Sequence, residues 1–488
     1  MTGLGRLEAI VEDSGVAEVI EGLLPTGVRR RQLSVRTLLV GILLALGDDR
    51  PAHLVRVHQA LVSLDAAEAD RLGVKSGGHL LTYRQVEYTF SIVVRALSKT
   101  VLDGTASATL ALIADALVEA SVPREHKDAS RALAVDWSDI ECSARPPSAK
   151  AKSADPEASW GHRSGGPTKG ELFYGYFFQA ATMVREERGP AVCELVRRVG
   201  VSTCSLDPVP LFVPVLGRLV RSGVALGDVL CDSGYAHRLA THWALPVRRL
   251  GGQLVMDLHP HDRGTQGTFA GAICANGALY CPATPRSLFE LQPLPRGADA
   301  AAARAHDQLS AELARYKLGR ITAEDGDGFH RVMCPAVMGK LRCPVRPGSM
   351  SLSFDRPEVA EPPLERPPCC VNQTVTVPPE VNAKTAQKHD YPSAAHRSSY
   401  ARRSAVERSY STMKDRASTD VTRGWCRTSG LCALTLLLVC AVVVRNERVI
   451  EAFEARVAED RRREEAGRGP RSRKARRRTL DDLITASA

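Results

Sequence analysis

Three acids stand where ligands for a catalytic metal could stand. Asp136 lies inside the strand-like run RALAVDWSDIE, Asp232 closes another, ALGDVLCDSGYAH, and Glu407 sits in the basic stretch YARRSAVERSYSTMK. Three carboxylates with open coordination positions suit Mg2+ or Mn2+, hard ions that keep waters and share phosphate oxygens with a substrate. Two such ions held about 4 Å apart can activate an attacking water or hydroxyl and stabilise the departing oxygen. Phosphoryl transfer needs little beyond that positioning and charge neutralisation. Asp136, Asp232 and Glu407 are therefore the candidate metal-binding and catalytic residues.

The Glu407 segment shows how one acid fits among arginines. A helix turns about 100° per residue, so Tyr400, Arg403, Glu407 and Lys414 share one polar stripe. Val406, Tyr410 and Met413 form an adjoining apolar stripe that packs inward. The basic neighbours would hold a phosphate backbone while Glu407 holds a metal. Taken alone, the stretch also reads as a solvated helix of mixed charge. Asp139 and Glu141 lie near Asp136, but a two-residue period puts them on the opposite side of its strand. Asp228 reads as a turn residue, and Asp257, ending a later strand, as a supporting group.

The 488 residues carry a net charge of +10, which suits a polyanionic partner such as nucleic acid, and aromatics at 5% leave the core to aliphatic side chains. MTGLGRLEAIVEDSG holds early acids and no apolar core of signal-peptide length. The longest apolar run, Leu431 to Val444, is shorter than the roughly 20 residues that span a bilayer, and is expected to be a buried helix. Thirteen scattered cysteines fit reduced thiols in the cytoplasm better than a disulfide framework. No membrane partner is expected.

The order of elements predicts an α/β protein preceded by an all-α region. Residues 1–125 read as helices: Ser34 caps one that Gly47 ends, Asp48 or Asp49 with Pro51 starts a second, Thr82 caps a third, and TLALIADALVEA is a fourth. They could be a helix-turn-helix DNA reader or a packing bundle. Residues 126–260 alternate strands and helices in a mixed sheet, with Asp207 capping one helix and another starting near Ala236. The segment KAKSADPEASWGHRSGGPTKG within them reads as irregular. Residues 261–397 form an insertion rich in Cys, Pro and Gly. Residues 398–456 return to the core with the Glu407 helix, the buried run and a further helix, and 457–488 are a basic tail expected to be disordered until it meets a partner. Cys274, Cys281, Cys334 and Cys343 in the insertion are candidates for structural Zn2+, although they lack Cys-x2-Cys pairing and buried free thiols are the alternative. His259 and His261 read as loop histidines.

The stretch at 400–414 matches Y-x2-R-x3-E-x6-K at Tyr400, Arg403, Glu407 and Lys414, which resembles the signature of bacterial insertion-sequence transposases of the DDE type, the Y-R-E-K group. AVDWSDIE and VLCDSGYAH resemble the segments bearing that family's first and second aspartates, so the likeness covers roughly residues 130–450. It implies an RNase H-like core with Asp136, Asp232 and Glu407 as the metal triad, interrupted by an inserted subdomain. It implies that Tyr400, Arg403 and Lys414 contact transposon-end DNA. It further implies strand cleavage and strand transfer with Mg2+, or Mn2+ in its place, by a homodimer on double-stranded DNA in the bacterial cytoplasm, at the nucleoid. One departure stands out. Relatives use a tryptophan of the insertion to hold a flipped base, but Trp137, Trp160, Trp243 and Trp425 all lie outside it, leaving Tyr280, Phe289 or Phe329 for stacking.

Overall fold

The computed structural model describes residues 3–25, 31–48, 51–74, 81–98, 106–163, 170–295, 297–415 and 418–469. Eight helices among them precede the first strand: α1 (Leu4–Ser14), α2 (Val16–Leu23), α3 (Val35–Gly47), α4 (Leu54–Val62), α5 (Ala66–Arg71), α6 (Tyr83–Ser98), α7 (Ala108–Ala120) and α8 (Arg124–Lys127). Ser34 caps α3 by accepting from the Thr37 amide, as expected. The next helix starts later than expected, with His53 as its N-cap, because Asp48 closes α3 and Pro51 begins a tight turn to His53. Asp49 lies outside the described residues. Before α6, Thr82 donates through both its amide and its hydroxyl to the Gln85 side chain, which is the Gln half of a capping box.

A mixed sheet follows: β1 (Ala132–Glu141), β2 (Ser159–His162), β3 (Leu172–Val184), β4 (Val196–Thr203), β5 (Asp228–Cys231) and β6 (Gln253–Met256). β3 pairs antiparallel with β1 on one side and with β2 and β4 on the other, while β5 runs parallel to β1 and β6 parallel to β5. β2 falls in the segment read as irregular. Its reason for being a strand is non-local: β4 pairs with β3 only from Tyr176 onward, and β2 takes up the exposed start of β3. The crossovers use α9 (Pro208–Arg221), capped by Asp207, then α10 (Ser233–Ala236) and α11 (Ala244–Arg249). α10 ends where a helix was expected to begin, since Asp232 caps it directly at Ser233.

The sheet separates two cores with the period expected of a strand. Ala132 and Ala134 of β1 join the helical side, and Leu133 and Val135 pack with α9 and α11 residues such as Phe212, Leu216 and Val247. The insertion adds two small antiparallel sheets, β7 (Thr265–Phe269) with β8 (Ala272–Ala275) and β9 (Ala278–Tyr280), and β10 (Gly319–Arg320) with β11 (His330–Met333) and β12 (Thr374–Val377). Between and beside them lie α12 (Ala300–Tyr316) and α13 (Pro368–Val371). The chain re-enters the core through α14 (Ala394–Tyr400), a 3-10 turn at Ala401–Arg403, α15 (Ser404–Lys414) and α16 (Leu431–Glu465).

α16 is one continuous helix of 35 residues where two were expected, because the side chains of its buried polar middle find hydrogen-bond partners. Asn446 accepts from the Val196 amide (3.0 Å) and donates to the Val196 carbonyl (2.9 Å) and Ser121 (3.0 Å). Arg445 donates to the Glu194 carbonyl and to Ser409, and Glu447 accepts from Arg6. The N-terminal helices thereby share one core with α16 and the sheet. No described helix is long and apolar enough to cross a membrane. Replacing Asn446 by Ala strands both polar groups of Val196 in that core, and is predicted to cost about 2–4 kcal/mol, read as a lower denaturant midpoint with an unchanged slope.

Candidate active site

β1 outruns its parallel neighbour: β5 pairs only with Leu133 and Ala134, so the rest of β1 presents an open edge on that side. Asp136 lies just past that pairing. Asp232 is the first residue after β5 and accepts from the Gly234 amide (2.9 Å) and the Tyr235 amide (3.4 Å), which orients its carboxylate. Gly234 must lack a side chain, since a Cβ there would lie 2.4 Å from the Trp137 ring. Glu407 comes from the first turn of α15. Val406, Tyr410 and Met413 are buried, so the apolar stripe packs inward as expected. Tyr410 anchors the helix by donating to the Asp136 carbonyl and accepting from the Ala180 amide at 3.0 Å.

The three acids line one cleft of about 670 Å³ together with Arg403 and Lys414. Tyr400 ends α14 and Arg403 ends the 3-10 turn; of the expected polar stripe Arg403, Glu407 and Lys414 line the cleft and Tyr400 does not. Arg403 donates to Asp136 Oδ2 at 2.9 Å and, with its other terminal nitrogen, to Glu407 Oε1. Its guanidinium lies 5.7 Å from the Tyr400 ring, which stacks in turn on His396. Burial, then the charge of Asp232, push the Asp136 carboxyl up to about 7, against the pull of Arg403 and the Trp137 amide. Burial also raises Asp232, with Arg403 opposing.

Asp139 and Glu141 share this cleft, contrary to their expected place across the strand. Where the edge of β1 is open, side chains from both faces reach the same solvent space. Lys414 donates to Asp139 at 3.0 Å, and Arg163, just beyond β2, bridges Asp139 and Glu141. Although burial works against it, Lys414 and Arg163 hold the Asp139 carboxyl below its ordinary range. Asp228 is not a turn residue but the buried first residue of β5, paired with Arg402 (2.6 Å) and Lys388 (2.8 Å). Asp257 accepts from Tyr391 (2.7 Å) and Arg263 (3.4 Å), and its charge adds to the rise of Asp232.

Sequence reasoning missed Arg163, Tyr410 and Trp137 as parts of the site. Tyr410 was visible only as a core residue, and nothing in the spacing connects Arg163 to β1. Of the aromatics considered for base stacking, Tyr280 and Phe289 are buried against each other at 5.3 Å, whereas Phe329 is exposed. Trp137 lines the cleft itself.

The donor set fits a hard divalent cation in kind: three carboxylates with a positive group already between two of them. The three are not gathered as closely as two other groups among the described residues, His237 with His259 and Asp262, and Glu125 with His126 and Glu454, whose ligand atoms lie within 4.8 Å of one another. Binding an ion therefore requires Glu407 to leave Arg403. His259 caps the 3-10 turn Pro260–Asp262. Cys281, Cys334 and Cys343 line a small cavity closed by Cys370, while Cys274 packs with Leu279, Cys369 and Cys370 in a neighbouring cluster and does not line that cavity. Compared with known protein families, the chain matches none, and no curated protein matches it.

A raised carboxyl means that the folded protein binds that proton more tightly than the unfolded chain. Its contribution to stability is present at acid pH and is lost as pH rises from the ordinary carboxylate value to about 7. Without metal, wild-type stability is predicted to fall by a few kcal/mol across that window, and Asp136→Asn is predicted to flatten the fall, as read by denaturant titrations at several pH values.

Proposed function

We propose that this chain is a DDE transposase with an RNase H-like core, which binds the terminal inverted repeats of its own insertion sequence and catalyses divalent-metal-dependent DNA strand cleavage and strand transfer. The observation that carries this reading is the meeting of Asp136, Asp232 and Glu407, from three distant stretches of sequence, at one cleft. The fold part is supported by adjacent parallel strands that deliver the first two aspartates just past the carboxyl end of their paired stretch, the side on which open α/β sheets bind ligands. The partner is supported by the net charge of +10 and by Arg403 and Lys414 beside the acids.

Ions held by the three carboxylates would supply an activated oxygen nucleophile and stabilise the leaving oxygen. The chain's own residues do the rest. The amides of Gly234 and Tyr235 hold Asp232 in one orientation, and Tyr410 fixes the spacing of α15 from β1. Arg403, once freed from Asp136 and Glu407, and Lys414, once freed from Asp139, would take phosphate oxygens of the DNA end. Tyr400 keeps the Arg403 guanidinium over the cleft. Two ends must be held together, so a homodimer on DNA is the active form.

Purified protein is predicted to cut DNA carrying its inverted repeats in Mg2+ or Mn2+, and Asp136→Ala, Asp232→Ala and Glu407→Ala are each predicted to slow cutting at least about a hundredfold. Cutting that survives all three changes contradicts the reading. Binding without cutting indicates a non-catalytic DNA-binding protein derived from a transposase. Cutting of any branched DNA or hybrid, whatever its ends, indicates another RNase H-like nuclease. Arg403→Ala removes the resident cation, and is predicted to tighten Mn2+ binding about tenfold by calorimetry while weakening binding to the repeats.

A further inference from the structure

The insertion has little to hold it together. Its strands run from two to five residues, and its larger core cluster relies on a few aromatics, such as Tyr280, Phe289 and Tyr316, with three cysteines among them. Cys281 follows β9, Cys334 follows β11, Cys343 lies in a loop and Cys370 lies in α13. All four are buried, and all four line one cavity of about 10 Å³, room for about one water or ion. The rest of its wall is almost wholly apolar, including Ala283, Leu341 and Val359.

The cysteines are presented by similar turns. In Cys281-Pro282-Ala283-Thr284 and Cys343-Pro344-Val345-Arg346, the fourth amide donates to the cysteine carbonyl, at 3.0 and 2.9 Å. Burial pushes the Cys281 thiol up to about 12 and raises Cys343, while the amides of Ala283, and of Val345 and Arg346, favour the two thiolates. Cys334-Pro335 opens a third turn, closed from the Met338 amide at 3.1 Å. Amides aimed at sulfur are how ligating thiolates are oriented and stabilised. A hydrogen bond with Cys369, and then the positive charge of Arg346, hold the Cys370 thiol below its ordinary range against burial, and the Arg346 Nε is buried without a partner.

We propose that Cys281, Cys334, Cys343 and Cys370 bind one structural Zn2+ that fastens the two small sheets of the insertion to each other. Four thiols lose their protons to solvent as four Zn–S bonds form, and Arg346 offsets part of the resulting negative charge. Sulfurs about 2.3 Å from zinc lie about 3.8 Å apart in a tetrahedron. As they stand no three of the four sulfurs lie within 4.8 Å of one another, so the ion would draw the turns inward. Cys274 is excluded because it does not line that cavity. The proposal is independent of the reading of the carboxylate cleft.

Full-length protein purified without added metal is predicted to carry about one equivalent of zinc per chain by plasma mass spectrometry. Cys281→Ser and Cys370→Ser should each reduce this to about a tenth or less, while Cys274→Ser leaves it unchanged. Wild-type protein produced in cobalt medium gives a reading that needs no variant to fold: sulfur-to-cobalt charge transfer with the strong visible bands of a tetrahedral site. Protein that holds no stoichiometric metal and shows no such bands overturns the proposal, as does equal zinc loss in Cys274→Ser and Cys281→Ser.

Discussion

Two aspartates held side by side in a largely buried cleft repel each other and lose hydration, and a cation must stand beside them if both are to be charged. Here that cation is Arg403, which bridges Asp136 and Glu407 with its two terminal nitrogens. The rest of the site follows from keeping this arrangement in register. Tyr410 binds the backbone of both β1 and β3, and Ser409 meets Thr182 of β3 at 3.2 Å, so α15 cannot slide along the sheet without breaking buried hydrogen bonds.

That helix is held from behind as well. The Arg445 side chain reaches from α16 to Ser409, and Asn446 locks α16 onto β4 and the end of α7. The helices before β1 and the last described stretch of chain thus share one core with the sheet, with the insertion looped out between Asp232 and Glu407. The carboxylate cleft and the cysteine cavity belong to different cores, which lets the insertion vary its own packing while β1, β5 and α15 keep theirs.

Much of the site was legible because its signals are local. A strand-like run around Asp136, another ending at Asp232 and a helical stripe through Glu407 each announce themselves within a dozen residues, and the three do meet at one cleft. What was not legible depends on pairing at a distance. β2 is a strand only because β3 has an uncovered start, and Asp139 joins the cleft only because β1 passes the end of β5. Asp228 is buried because Arg402 and Lys388, more than 150 residues away, neutralise it. Cys370 rather than Cys274 closes the cysteine cavity, a choice made by how α13 packs and invisible in the spacing. The helix α16 continues through RNER because each of its four side chains finds a hydrogen-bond partner that a periodicity argument does not see.

The most direct measurement of the carboxylate site is anomalous diffraction from crystals of the protein grown with saturating Mn2+. Peaks are predicted between Asp136 and Asp232, with Glu407 turned from Arg403 to join them and the guanidinium displaced from Asp136. A cleft without any peak at saturating Mn2+, with Arg403 still bridging Asp136 and Glu407, would contradict it.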